Sequence, residues 1–357
     1  MLGILMRVTF HAVFVVAIMI WSTSVRSEES EFIPRQNAYN AIPSPDGTKV
    51  AFVQTGRGRA GSGGFGRSNL RSDVMVSDVQ GNLLSKEPLA DSFLAGWTPD
   101  GKSLVCYRDW QFFLVALDGT KTQAGKIPDQ ESRPERVVYH SATGRFLWPE
   151  RDRGIGIVRN DEGQELARHE SLLGHLALSN DGKWLAAISG NLKVLNVAAQ
   201  TWADLGPVTI HPLHGNWDYI KPSWNPWFDD SSHLAFVSGE EVVVATPDGK
   251  QKRTLCQLPS LGGLASASPD GKHVAYVTFE EGKSERRRDL TFCGNARVWV
   301  VSTLQPDKPQ AVTEENPDSI YGIRWMNAEE VIFDRIADTP FYNRARLWRA
   351  TVPHESE

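Results

Sequence analysis

The segment His211-Pro212-Leu213-His214-Gly215-Asn216-Trp217-Asp218-Tyr219-Ile220 is the densest run of chemically capable side chains in this chain of 357 residues: two histidines, an aspartate and two large aromatics. A His-x-x-His pair with a nearby Asp has the donor types of a metal site. Outside a helix that spacing is weak, so no metal and no other cofactor is expected. The functional reading is ligand or partner contact through His214, Trp217, Asp218 and Tyr219, whose aromatic rings can stack on a sugar or an aromatic group. The competing reading is a structured loop whose aromatics fill the middle of the fold.

A second candidate is electrostatic. Residues 56–72 are glycine-rich and carry Arg57, Arg59, Arg67 and Arg71, with no acid until Asp73. Such a patch could engage a carboxylate-rich glycan, an acidic protein surface or phosphate groups. It reads more simply as a solvated Gly-rich loop kept soluble by its arginines. Residues 334–345 add Arg335 and Arg344 beside Phe341 and Tyr342. Residues 279–296 add Glu280-Glu281 and Arg286-Arg287-Arg288. Arg108-Asp109-Trp110 and Arg151-Asp152-Arg153 read as solvent-side ion pairs, which contribute little. A G-x-S-x-G nucleophile elbow is absent from the sequence.

Composition narrows the setting for these groups. The chain is 41% hydrophobic and 23% charged, with 12 Trp, which excludes a disordered or collagen-like polymer. Three cysteines exclude a disulfide scaffold. Of these, Cys256 and Cys293 could pair if neighbouring strands carry them, against the alternative of three buried thiols. A net charge of −5 argues against nucleic-acid binding by bulk electrostatics.

Residues 1–27 read as a secretory signal. Arg7 is the positive end, Val8–Trp21 is an apolar run of about 14 residues, and Val25 and Ser27 suit a cleavage site before Glu28. The run is shorter than the roughly 20 residues that span a bilayer, so export to the periplasm or the extracellular space is expected, with no stable membrane span after cleavage. Losing Arg7 and Arg26 leaves 36 basic against 43 acidic residues, a net −7 over 28–357.

The elements that must position the candidate residues come from an internal repeat. An Asp-Gly turn followed by a short apolar strand appears as Ser44-Pro45-Asp46-Gly47 before Val50-Ala51-Phe52-Val53. It recurs at Thr98, Ser141, Ser179, Asn225, Ser268 and Met326. The spacings are 54, 43, 38, 46, 43 and 58 residues, averaging 47, close to the 40–50 of a four-stranded propeller blade. Asp-Gly supplies the left-handed turn conformation and the flanking apolar runs pair as a hairpin. The prediction is all-β: one seven-bladed propeller of four-stranded antiparallel blades, with six blades as the alternative if the degraded third copy is misread. The tail ends one strand short, and residues 31–37 could supply that strand and close the ring.

The pattern Trp97-Thr98-Pro99-Asp100-Gly101-Lys102 and Ser268-Pro269-Asp270-Gly271-Lys272-His273-Val274-Ala275-Tyr276-Val277 resembles the WD40-like PD40 repeat of TolB-type β-propellers. Copies 1 and 4 match in part; copies 3, 5 and 7 match weakly. The likeness spans about residues 32–353. It implies the fold and leaves function open, because that family includes binding proteins, propeller domains attached to prolyl-oligopeptidase-type hydrolases, and lyases. This chain is too short to add a hydrolase domain.

Such a topology puts the 56–72, 279–296 and 334–345 connections of blades 1, 6 and 7 on one sector of one face, and long loops on a rigid scaffold are where binding concentrates. The expectation is a non-catalytic protein binding a protein or glycan, anionic in character, through that face. The alternative is a lyase or hydrolase acting on carbohydrate or peptide through 211–219. Trp97, Trp224 and Trp325 are expected to share one repeat position and pack blade against blade, with Trp227 outside the pattern.

Overall fold

Ser44, Thr98, Ser179 and Ser268 open four turns built alike. The opening residue's amide donates to the carbonyl five residues on, and the turn glycine's amide donates back to the opening carbonyl, all at 2.8–3.0 Å. The opening hydroxyl donates to the aspartate two residues on, at 2.5–2.7 Å. Gly47, Gly101, Gly182 and Gly271 have φ of 63–72°, where a side chain would be strained. Each turn reverses the chain with the opening residue's amide, carbonyl and hydroxyl all bonded locally.

The computed structural model of the protein describes residues 28–34, 37–55, 72–85, 87–108, 111–126, 138–140, 145–171, 174–209, 224–283, 291–336 and 345–353. These form 27 strands in seven antiparallel sheets. The N-terminal strand is β1 (Glu29–Glu31). Blade 1 contains β2 (Ala38–Pro43), β3 (Lys49–Thr55), β4 (Ser72–Asp78) and β5 (Ala90–Asp91). Blade 2 contains β6 (Phe93–Trp97), β7 (Ser103–Arg108), β8 (Gln111–Ala116) and β9 (Lys121–Lys126). Blade 3 contains β10 (Val138–His140), β11 (Arg145–Asp152), β12 (Ile155–Asn160) and β13 (Glu165–His169). Blade 4 contains β14 (Gly174–Leu178), β15 (Trp184–Ser189), β16 (Asn191–Asn196) and β17 (Thr201–Pro207). Blade 5 contains β18 (Leu234–Ser238), β19 (Glu241–Ala245) and β20 (Lys252–Gln257). Blade 6 contains β21 (Leu261–Ala267), β22 (His273–Lys283), β23 (Thr291–Ser302) and β24 (Gln310–Ala311). Blade 7 contains β25 (Ser319–Trp325), β26 (Glu330–Ile336) and β27 (Ala345–Thr351).

The seven-bladed prediction holds. Blade 3, the weakest repeat in sequence, is a complete four-stranded sheet, which removes the six-bladed alternative. The first strands of successive blades touch one another, as β2 touches β25 and β10 touches β14, so these strands surround the axis. Second strands are sandwiched between two neighbouring blades. Val50–Val53, Leu234–Val237 and Val274–Val277 are therefore buried on both faces, at 0–2% exposure, which explains continuous apolar runs in place of alternation. Among the described residues no helix is long and apolar enough to cross a membrane.

Two expectations need correction, and one open alternative is decided. The closing strand is β1, which pairs with β27 (Glu29 opposite Ala350, Glu31 opposite Trp348) and is extended by the Phe32 amide donating to the Leu347 carbonyl at 2.8 Å. It therefore starts two residues before the 31–37 segment. Phe32 and Ile33 then turn into the core between blades 7 and 1, each at 2% exposure.

The fifth turn is displaced by three residues. Phe228, not Asn225, takes the serine position: its amide donates to the His233 carbonyl, and the Ser231 amide, at φ 59°, donates back to Phe228. Trp227 is thus the repeat tryptophan. Its Nε1 donates to the Ala177 carbonyl of blade 4 at 3.0 Å, as Trp97 does to Ile42 at 2.8 Å and Trp325 to Ser266 at 2.9 Å. Each ring links its blade to the innermost strand of the preceding one. Trp227→Phe removes a buried bond and ring volume, and unfolding in urea should show a loss of about 1–3 kcal/mol. A loss below about 0.5 kcal/mol, the usual surface value, would contradict that role.

The Cys256–Cys293 bridge does not form. Cys256 is a free, buried thiol with its Sγ 3.7 Å from the Tyr276 hydroxyl. Cys106 is also free and buried, and burial pushes its thiol up to about 12, which makes it inert.

Candidate functional site

Antiparallel order sorts the connections by face. First-to-second and third-to-fourth strand turns lie at one end of the ring. Second-to-third connections, and those between blades, lie at the other. On that second face β15 meets β16 through Gly190 alone, β18 meets β19 through Gly239-Glu240, and β11 meets β12 through Arg153-Gly154. In contrast, β3 and β4, β22 and β23, and β26 and β27 are joined by residues 56–71, 284–290 and 337–344. Blades 6, 7 and 1 are consecutive around the closed ring, so the three longest of these connections share one sector.

Arg57, Arg59, Arg67, Arg71 and Arg344 lie outside the described residues, as do His211, His214, Trp217, Asp218 and Tyr219. Among the described residues no group of three or more His, Cys, Asp or Glu side chains is placed to hold a metal ion.

What was read as a long loop in blade 6 is largely strand. β22 and β23 remain paired past the blade body, through Glu280 opposite Gly294 to Lys283 opposite Thr291. A register shift between Thr278 and Glu280 bends this arm; there Asn295, at φ 51°, donates from Nδ2 to the Glu280 carboxylate at 2.7 Å. At the arm's root Arg297 donates to the Thr313 carbonyl at 2.9 Å and stacks over Trp299, 5.1 Å from the ring centre.

Arg335 lies inside β26, at 1% exposure. Its guanidinium is paired with Glu29 of the closing strand and sits 5.3 Å from the ring centres of both Phe333 and Trp348. Next to it, Arg346 reaches Glu31 at 3.2 Å and also bonds Asn37. Both acids of β1 are therefore held by arginines of blade 7. Burial raises the Glu29 carboxyl above its ordinary value, opposed chiefly by the charge of Arg335.

On the opposite side of the same sheet, Asp334 was not singled out by sequence. It is 2% exposed, and its carboxylate accepts from the backbone amides of Asn40, at 3.0 Å, and Ala41. Asn40 has φ 54° and sits where the β2–β3 register shifts. The carboxylate therefore caps a bulge in the next blade. Burial pushes Asp334 up to about 7, with the two amides and Arg324 opposing. Burial likewise lowers Arg324 to about 10, with Asp334 opposing. The signal was available: Asp334 occupies the repeat position filled by Val53, Val237 and Val277.

The architecture defines the molecule as a seven-bladed β-propeller. No family model matches the chain, and no curated protein matches it by sequence. Solved structures do resemble it. An oligogalacturonate lyase in complex with manganese aligns over 92% of this chain and 97% of its own, with TM-score 0.55 and 12% identity. An oligogalacturonate lyase from Vibrio parahaemolyticus aligns over 92% and 98%, with TM-score 0.59 and 11% identity. The Cps50 (Swd1) β-propeller domain of Myceliophteria thermophila aligns over 92% and 100%, with TM-score 0.55 and 10% identity. At such identities the likeness is one of fold.

Proposed function

We propose that this is an exported, non-catalytic β-propeller of TolB type that binds a protein or glycan ligand of anionic character through the sector of blades 6, 7 and 1. The observation that carries the reading is the asymmetry of that face: tight two-strand turns on blades 3, 4 and 5 against long connections and a projecting arm on three consecutive blades. Arg57, Arg59, Arg67 and Arg344 supply the positive charge, in a chain of net charge −5. His214, Trp217, Asp218 and Tyr219 lie in sequence between blade 4 and blade 5. The PD40-like turns support the TolB-type assignment.

The test uses the chain from Glu28 onward against arrays of uronate-rich and neutral oligosaccharides, together with acidic and basic peptides. Anionic ligands should bind, and the triple variant Arg57→Ala, Arg59→Ala, Arg67→Ala should weaken them at least about tenfold, because charge-assisted contacts are the stronger kind. Salt should weaken binding in step. Equal binding by wild type and variant would refute the role of the patch. Two of the structural neighbours are named as lyases, so the uronate arm is also monitored for unsaturated product. Turnover that Asp218→Asn abolishes would replace the binding reading with the enzymatic one.

A further inference from the structure

On the opposite face, where the turns lie, the blade 5 turn departs from the pattern of blades 1, 2, 4 and 6. Wherever the Ser/Thr-x-Asp-Gly turn is intact, a lysine stands beside the aspartate. Asp46 pairs with Lys49 at 3.5 Å, Asp181 with Lys183 at 3.0 Å, Asp270 with Lys272 at 3.9 Å, and Asp248, in the equivalent β19–β20 turn, with Lys250 at 3.0 Å. In blade 5 the same turn reads Phe228-Asp229-Asp230-Ser231-Ser232-His233. It has two adjacent carboxylates and no lysine. Asp229 is bonded by the Asn180 amide of blade 4, and Asp230 by Ser232. Neither has an ion-pair partner among the described residues.

Beside this turn, between blades 5 and 6, is a cleft of about 340 Å3. Phe228, Asp229, Asp230 and His233 form one wall, and Pro269 and Asp270 the other. Arg253 of β20 also lines it; its Nη2 donates to the Thr303 carbonyl at 3.1 Å, and it too has no ion-pair partner among the described residues. Phe228 lies flush with the next blade, since a Cβ on Gly271 would stand 3.4 Å from its ring. The cleft thus combines a carboxylate pair and a guanidinium that form no ion pair with each other, beside the edge of Phe228, which is 8% exposed. Desolvation, and then the charge of Asp230, hold the Asp229 carboxyl above its ordinary value against the Asn180 bond. A bound cation would relieve that cost.

We propose that this cleft binds short zwitterionic peptides, the free ammonium on Asp229 and Asp230, the free carboxylate on Arg253 and an apolar side chain on Phe228. A ligand bearing both charges satisfies both unpaired groups, whereas a simple amine or a simple acid leaves one in place. The site is on the face remote from the long connections and does not depend on the function proposed for them.

The test is isothermal titration of the chain from Glu28 onward with alanyl-phenylalanine, its N-acetylated form, its C-amidated form and free phenylalanine. The parent dipeptide should bind saturably, and each blocked form at least about tenfold more weakly, since each loses one charged contact. Free phenylalanine should fall between. Arg253→Gln, on an exposed side chain, should reproduce the amidation effect on the parent and abolish the difference between parent and amide. Equal affinity of parent and blocked forms, or no saturable heat up to about 10 mM, would overturn the proposal. The ligand series uses wild-type protein alone, so a misfolded variant cannot obscure it.

Discussion

Arg335→Ala lowers the unfolding free energy by about 3–5 kcal/mol, the cost of removing one partner of a buried ion pair. Its side chain is 2% exposed and that of Glu29 16%, so the guanidinium has no water to fall back on and the carboxylate has little. The substitution strands Glu29 and removes the guanidinium from between Phe333 and Trp348. Because Glu29 belongs to β1, the loss falls on ring closure. The chain's two ends are joined there by three residues of ladder, by the Phe32 and Thr351 amide bonds, and by Arg346 and Arg349 reaching Glu31 and Ser30. Glu29→Gln keeps the shape and should cost less. A double-mutant cycle should return a coupling of about 2 kcal/mol or more, well above the surface value. Urea unfolding of the four proteins decides the matter. A cost below about 1 kcal/mol for Arg335→Ala would mean that closure rests on those other contacts, and would return Arg335 to the list of residues available for a ligand.

That residue also shows how far sequence carried. Repeat spacing and turn chemistry are local signals, and they located seven blades and most strand positions, because an Asp-Gly turn and four apolar residues suffice to mark a hairpin. The blade 5 turn lost its Gly and the register slipped. In blade 5 the run Trp224-Asn225-Pro226-Trp227 offers two tryptophans, and only the three-dimensional partner, the Ala177 carbonyl, tells which of them is the repeat residue. Arg335 looked like a loop residue because strand ends carry no sharp mark, and its partner Glu29 is 306 positions away. The blade 6 connection looked like a loop because a protruding two-stranded arm has no sandwiching neighbours, and so lacks the apolar run that identifies the other second strands. Glu29 and Glu31 were legible only as polar residues after a signal-like segment; their meaning depends on Arg335 and Arg346 at the far end of the chain. The end of the ring from which each connection leaves was legible, since strand order alone defines it; the candidate residues within 56–71, 210–223 and 337–344 lie outside the described residues.

Asp334 gives the second large effect, and its sign is opposite to that of the turn aspartates. With a carboxyl at about 7 in the folded protein and about 4 when unfolded, the folded state holds a proton that the unfolded state releases between those limits. Below about pH 4 both states are protonated and the group is silent. As pH rises from 4 to 7 stability falls, and above 7 the full cost of the buried charge is present, on the order of 4 kcal/mol. Glu29, also raised, adds a contribution of the same sign. Asp46 and Asp248 are held below the usual carboxylate range, first by the Ser44 and Thr246 hydroxyls respectively. They stabilise above the ordinary value and lose that as pH falls below about 4, so they do not obscure the 5–8 window. Wild type should therefore become more stable on acidification from pH 8 to pH 5. Asp334→Asn is neutral throughout and should flatten that slope. The amide oxygen can still accept from Asn40 or Ala41 but serves both poorly, a loss of about 1–2 kcal/mol. Wild type has already lost about 1.4 kcal/mol by pH 5, so the variant should match it there and be more stable by about 2–3 kcal/mol at pH 8. Urea unfolding at pH 5, 6, 7 and 8 reads the divergence directly. Parallel curves would show that the Asp334 carboxyl titrates in the ordinary range and that Arg324 neutralises it within the fold.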